Sequence, residues 1–175
     1  EAVRLGGTTT EVYPLTLLSV GGMMLFPAAN DLLLMFIALE VLSLPLYVLS
    51  GLARRRRLLS QEASIKYFLL GAFSSAFFLF GAVLLYGYAG SMRLDVIAEA
   101  ISTQTGMDGL LVPGILLVAV GLLFKVGAVP FHSWVPDVYQ GAPTTVTGFM
   151  AACTKVAAFG ALLRIFYVGL EAARL

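Results

Sequence analysis

The chain has 175 residues, of which 59% are hydrophobic and only 12% charged, and its net charge is +1. Soluble globular domains carry roughly 25% charged residues, so this composition indicates a membrane protein. The near-neutral charge argues against nucleic-acid binding. The single cysteine, Cys153, excludes an internal disulfide and any CxxC metal or cluster site. Because the chain opens on Glu1 and lacks a signal-peptide pattern, we expect it to be a piece of a longer protein.

Five apolar stretches follow one another along the chain. A transmembrane helix needs about 20 apolar residues, and no strand-like alternation typical of a β-barrel is visible. The sequence therefore predicts an all-α, polytopic membrane protein, organised as a single bundle of five transmembrane helices. Their approximate spans are 12–28, 31–52, 61–89, 110–139 and 142–170.

The fourth stretch carries residues that interrupt a helix. It contains LFKVGAVPFHSWVPDVYQGAP, with Gly127, Pro130 and Pro136 in close succession. Proline removes a helical hydrogen bond, and broken helices mark ion sites in transporters. We expect this helix to be discontinuous, with its break near 126–130.

The connections predict the orientation. Arg54–Arg57 is the one strong basic cluster, and the positive-inside rule places it in a cytoplasmic loop. A lipid-headgroup anchor or a docking patch are the alternatives. The 90–109 connection is then external, and apolar residues at helical spacing within it predict a short surface helix. Trp134 is expected in an interfacial aromatic belt.

Three charged residues fall near the middle of apolar stretches: Glu40 in the second, Lys125 in the fourth and Lys155 in the fifth. A charge at the bilayer centre costs roughly 3 kcal/mol on insertion scales. Half the hydrocarbon thickness is about 15 Å, farther than a lysine side chain reaches, so snorkelling does not explain the two lysines. We interpret the three as proton-transfer or ion-transfer groups.

Two further residues are secondary candidates for the proton path. Lys66 lies in the second turn of the third stretch, beside the arginine loop, where either snorkelling or function explains it. His132, the sole histidine, lies just past the predicted break and titrates near physiological pH. It is either a proton relay or a capped structural histidine.

A static network is the alternative to transport, with Glu40 paired to a lysine as a lock between helices. Against it, one carboxylate does not balance two ammonium groups, so one lysine needs another partner. In addition, Pro45 and Pro130 predict backbone interruptions near Glu40 and Lys125. Transport is therefore the favoured interpretation.

The motifs resemble a known family. LEVLSLPLYVLSG (39–51), KYFLLGAFSSAFFLFGAVLLYG (66–87), FKVGAVPFHSWVPDVYQGAPTTVTGFMA (124–151) and KVAAFGALLR (155–164) are similar to the antiporter-like membrane subunits of respiratory complex I. Within that family they most resemble the N subunits of bacterial NADH–quinone oxidoreductases. The resemblance implies that the chain is one half of an inverted-repeat transporter, the first of two five-helix repeats.

The same resemblance assigns roles to the charged residues. It places Glu40, Lys125 and Lys155 on the family's buried glutamate, broken-helix lysine and next-helix lysine. Lys66 and His132 fall on polar positions of its proton route. In the implied hypothesis, Lys125 takes up a proton while paired with Glu40, and weakening of the pair sends the proton to Lys155.

The resemblance also implies the setting. The chain would belong to a non-redox, proton-translocating subunit that is not catalytic alone and holds no cofactor, with FMN, iron–sulfur clusters and quinone in other subunits. Its expected partners are other membrane subunits of complex I, the lipid bilayer and protons, in a bacterial plasma membrane. The alternatives are a subunit of a multi-subunit sodium/proton antiporter, or a purely structural membrane subunit.

Overall fold

The computed structural model describes residues 11–53, 57–103 and 109–170. Within these ranges all regular structure is helical, apart from an isolated antiparallel β-bridge between Asp31 and Arg93. The all-α prediction is therefore confirmed for this part of the chain. Arg54, Arg55 and Arg56 of the predicted cytoplasmic loop lie outside the described residues, and Arg57 is the first residue of a helix.

The helices follow the chain as α1 (Val12–Ala28), α2 (Leu32–Ser50), α3 (Arg57–Ala89), α4 (Leu94–Thr103), α5 (Leu111–Val126), α6 (Trp134–Gly141), α7 (Thr144–Phe149) and α8 (Lys155–Arg164). Two π-helical turns, Met150–Thr154 and Ile165–Gly169, follow α7 and α8. Together α7, α8 and these turns form one helix, Thr144–Gly169.

Three of these helices are long and apolar enough to cross a membrane: α2, α3 and Thr144–Gly169. The shorter helices α1 and α5 are also apolar. Leucine, phenylalanine and valine side chains remain exposed along α3 and α8, with Phe73 at 65% and Val156 at 74%. Such all-round apolarity is expected where the surrounding medium is lipid rather than water.

Helix α2 packs between α1 and α3 and contacts both. Its first turn is capped by Asp31, whose carboxylate accepts hydrogen bonds from the N–H groups of Leu33 and Leu34 at 2.9 and 3.1 Å. The helix then continues to Ser50 without a break at Pro45. The expected interruption near Glu40 is therefore wrong. A proline removes one hydrogen bond, and packing against neighbouring helices holds the remaining turns in place.

Helix α5 ends at Val126, and Gly127 terminates it in the left-handed conformation with φ 77°. The N–H groups of Gly127 and Ala128 both donate to the carbonyl of Leu123, at 2.9 and 3.0 Å. This is a glycine C-cap, which only a residue without a side chain adopts at low cost. The chain resumes a helix at Trp134, and α6 packs against α3.

Helix α4 connects α3 and α5 and contacts the π-helical turn at 165–169. Its apolar residues Leu94 and Ile97 are buried. At its start, Arg93 pairs with Asp95 at 2.7 Å, and hydrogen bonds from that guanidinium hold the pKa of the Asp95 carboxyl below its usual range. Residues 104–108 of the predicted external connection lie outside the described ranges.

Glycines allow the helices to approach closely. A Cβ placed on Gly22 would lie 2.5 Å from the backbone nitrogen of Leu42, where α1 crosses α2. Between α3 and α5, a Cβ on Gly81 would lie 2.7 Å from the carbonyl oxygen of Gly114. Small residues at such crossings are the usual basis of helix association in lipid.

We predict that Gly22→Ala destabilises the protein, because the added methyl meets backbone atoms that cannot move aside. Overpacking of this kind typically costs about 1–3 kcal/mol. Gly21→Ala is the matched control, since nothing lies within 4 Å of a Cβ at that position. The measurement is the thermal-unfolding midpoint of the detergent-solubilised protein. Equal midpoints for the two variants would contradict the close crossing of α1 and α2.

Candidate functional site

Lys125 is buried, with 4% of its surface exposed, one residue before the end of α5. Its Nζ donates hydrogen bonds to the hydroxyl of Ser43 on α2, at 2.7 Å, and to the hydroxyl of Tyr67 on α3, at 3.3 Å. The amine therefore lies where three helices meet, and hydroxyl oxygens surround it.

Aromatic rings complete the surroundings of the amine. The Nζ lies 5.3 Å from the centroid of the Tyr67 ring and 5.8 Å from that of Tyr47. The two rings meet edge to face, with centroids 4.7 Å apart. A lysine cation within about 6 Å of an aromatic face is attracted by the ring quadrupole. In this structure hydroxyls and ring faces therefore surround the amine, without direct contact to a carboxylate.

Glu40 lies one turn before Ser43 on α2, and its Oε1 is buried without a hydrogen-bond partner. It is close enough to interact electrostatically with Lys125 and with Tyr47. However, no ion pair within 4 Å joins it to either lysine of the predicted triad among the described residues. The expected Glu40–Lys125 ion pair is therefore not formed in this structure, and the lysine donates to the Ser43 hydroxyl instead.

Lys155, the first residue of α8, is half-buried, and its Nζ donates to the backbone carbonyl of Val126. A Cβ on Gly127 would lie 3.3 Å from the same Nζ. The carbonyl that Pro130 deprives of a helical donor is therefore satisfied by this lysine. A cation is also favoured at a helix C-terminus, where the carbonyl dipoles point outward. The structure thus places Lys155 at the helix break, beside the residue that follows Lys125.

Trp134 begins α6 and is buried, with 2% of its surface exposed. The predicted place in an interfacial aromatic belt is therefore wrong for Trp134. Its Nε1 donates to the carbonyl of Phe124 at 3.0 Å, and its ring stacks on that of Tyr67, with centroids 4.8 Å apart and planes 8° apart. The second half of the broken segment is therefore anchored on the wall of the Lys125 pocket.

Lys66 does not reach the Lys125 pocket. Its Nζ forms ion pairs of 2.7 Å with Glu62, one turn earlier on α3, and with Asp137 on α6. All three line an open cleft of about 150 Å³ between the two helices. The lysine side chain is 42% exposed, so this contact ties α3 to α6 at the surface of the described structure.

His132 lies in the segment between α5 and α6 and is exposed. Its backbone carbonyl accepts a hydrogen bond from Val135 at 3.0 Å. Within the described part of the chain its ring makes no hydrogen bond or ion pair. The structure therefore does not bring His132 to Lys125 or Lys155, and its part in a proton path stays a prediction.

The sequence interpretation missed Ser43, Tyr47 and Tyr67. A signal existed for the first two, because they follow Glu40 at helical spacings of three and seven residues and share its face of α2. Tyr67 gave no such signal, since its position depends on how α3 packs against α5. None of the described residues forms a cluster of three side chains that could hold a metal ion.

Comparisons with known proteins agree with this geometry. A family model described as "NADH:quinone oxidoreductase/Mrp antiporter, TM" matches residues 29–173. NADH-quinone oxidoreductase subunit N of Beutenbergia cavernae is 75% identical over 168 residues, covering 96% of this chain and 32% of the relative. The same subunit of Mycobacterium tuberculosis is 69% identical over 170 residues, covering 97% and 32%. The resemblance found in the sequence motifs is confirmed.

Solved structures share the fold. Respiratory complex I from Thermus thermophilus contains a chain that is 48% identical, with a TM-score of 0.78 over 89% of this chain and 34% of that chain. A chain of the Mrp complex from Dietzia sp. DQ12-45-1b is 27% identical, with a TM-score of 0.80 over 90% and 29%. This chain spans about a third of the length of the relatives that it matches.

We predict that Ser43→Ala destabilises the protein more than Ser50→Ala does. The Ser43 hydroxyl receives a hydrogen bond from the lysine, and bonds of that kind contribute about 1.5–3 kcal/mol when the group is charged. Ser50 is the matched control, since it is a buried serine of the same helix that donates locally, to the Tyr47 carbonyl at 2.8 Å. Thermal-unfolding midpoints of the two variants decide the question. A larger loss for Ser50→Ala would contradict the assigned partner of Lys125.

Proposed function

Because this chain belongs to the NADH:quinone oxidoreductase/Mrp antiporter membrane family, we propose that it is part of a proton-translocating membrane subunit of an NADH–quinone oxidoreductase. The whole subunit would move protons through buried glutamate and lysine groups, driven by electron transfer elsewhere in the complex. The identity of 75% to an N subunit over 96% of the chain supports this choice within the family.

One observation carries the proposal: among the described residues, the buried Lys125 amine is bonded only to hydroxyls, while a buried oxygen of Glu40 has no partner. A static lock between helices would close these two groups into an ion pair, because an unpaired buried charge is costly. The separation of Glu40 from Lys125 therefore favours a role in which these groups gain and lose a proton during turnover.

The proposed transfer runs from Lys125 to Lys155. A proton arriving at the Lys125 amine is stabilised by the negative field of Glu40. A second positive charge nearby, or a weaker Glu40 interaction, favours its release. Lys155 donates to the carbonyl of the residue next to Lys125, which supports it as the group that receives the proton at the break.

Lys66 and His132 have subordinate places in the proposal. Lys66 is held between two carboxylates at the α3–α6 cleft, which suits a surface position where protons exchange with water. His132 is exposed between α5 and α6, on the segment that joins the two half-helices. We propose both as secondary members of the path.

We also propose the architecture and setting that the family implies. The chain would form one half of an inverted-repeat transporter, with five transmembrane segments, of which the α5–α6 segment is discontinuous. Its partners would be other membrane subunits of the complex, lipid and protons, in a bacterial plasma membrane with the Arg54–Arg57 loop cytoplasmic. FMN, iron–sulfur clusters and quinone would be held by other subunits.

We predict that Lys125→Met lowers the number of protons pumped per NADH oxidised through the path that this subunit forms. A positioned proton-transfer group contributes at least about a hundredfold to the rate of its step, so this path would stop. The measurement is acidification of inverted membrane vesicles containing the intact complex, normalised to NADH oxidation.

Leu122→Met is the matched control, because Leu122 is fully buried one turn earlier on α5 and exchanging leucine for methionine nearly conserves volume. It should assemble and pump as the wild type does. Wild-type pumping by Lys125→Met would remove Lys125 from the proton path.

We predict that Glu40→Gln assembles normally but pumps poorly, since the carboxylate bonds to no described side chain and its charge is what is used. A structural lock predicts the reverse, namely loss of assembled complex. Native gel electrophoresis reports assembly, and vesicle acidification reports pumping. A reduced amount of complex with an unchanged proton ratio would favour the structural alternative.

A sodium/proton antiporter subunit is the second candidate, favoured by the TM-score of 0.80 with the Mrp complex chain. That chain is 27% identical, against 48% for the chain of complex I. Transport that depends on sodium and continues without NADH would support the antiporter. Transport that follows NADH oxidation and is indifferent to sodium would support the oxidoreductase.

A further inference from the structure

Tyr67 occupies a position that neither the predicted triad nor the family assignment uses. It lies on α3 with 1% of its surface exposed. Its hydroxyl is 3.3 Å from the Nζ of Lys125, while its ring stacks on that of Trp134, the first residue of α6, at 4.8 Å. One side chain therefore contacts both the buried amine and the second half of the broken segment.

The two hydroxyls beside Lys125 differ in whether they can donate a hydrogen bond to its amine. The Ser43 hydroxyl donates its proton to the carbonyl of Leu39, so towards Lys125 it can only accept. The hydroxyl of Tyr67 has no hydrogen-bond partner in the described ranges other than Lys125. A neutral amine can satisfy both groups: it donates to Ser43, and its hydrogen bond to the Tyr67 hydroxyl can reverse, so that its lone pair accepts the Tyr67 proton.

A protonated lysine does not fit the same arrangement. An ammonium group has three donors and no acceptor, so Tyr67 would have to accept, and its own proton would be left without a partner. The remaining ammonium donor would lack an acceptor as well. The buried Oε1 of Glu40 is the nearby acceptor without a partner, so protonation draws the amine towards Glu40 and away from Tyr67.

The titratable groups that face Lys125 come from two helices: Glu40 and Tyr47 from α2, and Tyr67 from α3. Lys155 of α8 lies at the carbonyl of the next residue. Of the aromatic residues in this set, Tyr67 alone stacks on Trp134. Tyr47 instead meets Tyr67 edge to face and places its hydroxyl against Gly71 of α3.

The attachment of α6 depends on the same region. Trp134 is fixed by its stack on Tyr67 and by its hydrogen bond to the Phe124 carbonyl, one residue before Lys125. Trp134 also stacks on Phe124, with centroids 5.4 Å apart. Farther out, α6 is held to α3 by the Lys66–Asp137 ion pair and by the close packing of Gly141 on Leu59. A shift of the Tyr67 ring therefore loosens the inner attachment and leaves the outer one in place.

We propose that Tyr67 is a positioning residue that couples the protonation of Lys125 to the docking of α6. Its hydroxyl donates to the neutral amine and is released when the protonated amine turns to Glu40, and its ring passes that change to Trp134. The proton that moves is the one on Lys125, and Tyr67 keeps its own. This inference rests on the proposed function in one respect, that Lys125 changes its protonation state.

The test measures the exposure of α6 with Lys125 fixed in either charge state. Ser133→Cys places a thiol at the exposed start of α6, in the intact complex with its other cysteines replaced, including the exposed Cys153. The rate of maleimide labelling is compared between Lys125→Arg, which keeps the cation, and Lys125→Gln, whose neutral amide can donate to Ser43 and accept from Tyr67. We expect labelling at least about threefold faster in Lys125→Arg, as for a shifted population.

Tyr67→Phe is the decisive addition, since it keeps the ring and removes only the hydroxyl. The difference between Lys125→Arg and Lys125→Gln should then disappear, while Tyr139→Phe, the matched control, should preserve it, because the Tyr139 ring meets Trp134 edge to face without a hydrogen bond to Lys125. A difference that persists in Tyr67→Phe would reflect the bulk of arginine and would overturn the proposal. Equal labelling of the two Lys125 variants with Tyr67 intact would also overturn it.

Thiol labelling tests the coupling through Tyr67, and proton pumping tests the proposed function separately. Wild-type pumping by Lys125→Met would refute proton transfer through Lys125, whatever the labelling shows. Loss of pumping together with labelling that ignores Tyr67 would leave the transfer intact and refute the coupling. The two readouts, acidification and thiol labelling, therefore fail independently.

Discussion

The bundle depends on how one buried amine, that of Lys125, is accommodated inside an apolar helical protein. Removing a lone charge from water is so costly that a group in such a place is normally paired or neutral. Here the amine is bonded to the hydroxyls of Ser43 and Tyr67, and Glu40 exerts its field without touching it. The Ser43 hydroxyl can accept from either charge state of the lysine, whereas the Tyr67 hydroxyl can donate to the neutral amine alone, so the pocket responds to a change of charge.

The same constraint explains the break between α5 and α6. Ending a helix inside the bundle leaves carbonyls that need donors. Trp134 supplies one to Phe124 and Lys155 supplies one to Val126, the two residues on either side of Lys125. The break, the acceptor lysine and the aromatic wall of the pocket are therefore parts of one structure. Glycines at the helix crossings allow the surrounding helices to pack closely around this structure.

The sequence predicted the features that depend on local apolar pattern and on the free-energy cost of a charge in lipid. Long apolar runs indicated helices, and Lys125 was singled out because a charge in such a run needs a reason. Pro45 misled the interpretation, since packing on both sides keeps α2 continuous. The interfacial position predicted for Trp134 was also wrong, because this side chain is buried by its stack on Tyr67. Serine and tyrosine hydroxyls carry no sequence pattern that says which buried amine they will meet, so the contents of the pocket needed the fold.

If Lys125 works by releasing a proton, Lys125→Arg in the intact complex should abolish that function. Arginine keeps the positive charge and its donors but does not lose its proton in proteins. With assembly verified on native gels, the measurement is the number of protons pumped per NADH oxidised. We expect an assembled complex whose proton ratio is as low as that of Lys125→Met, which has no charge at this position. Pumping restored to the wild-type ratio by arginine would contradict it, because a fixed charge would then be sufficient.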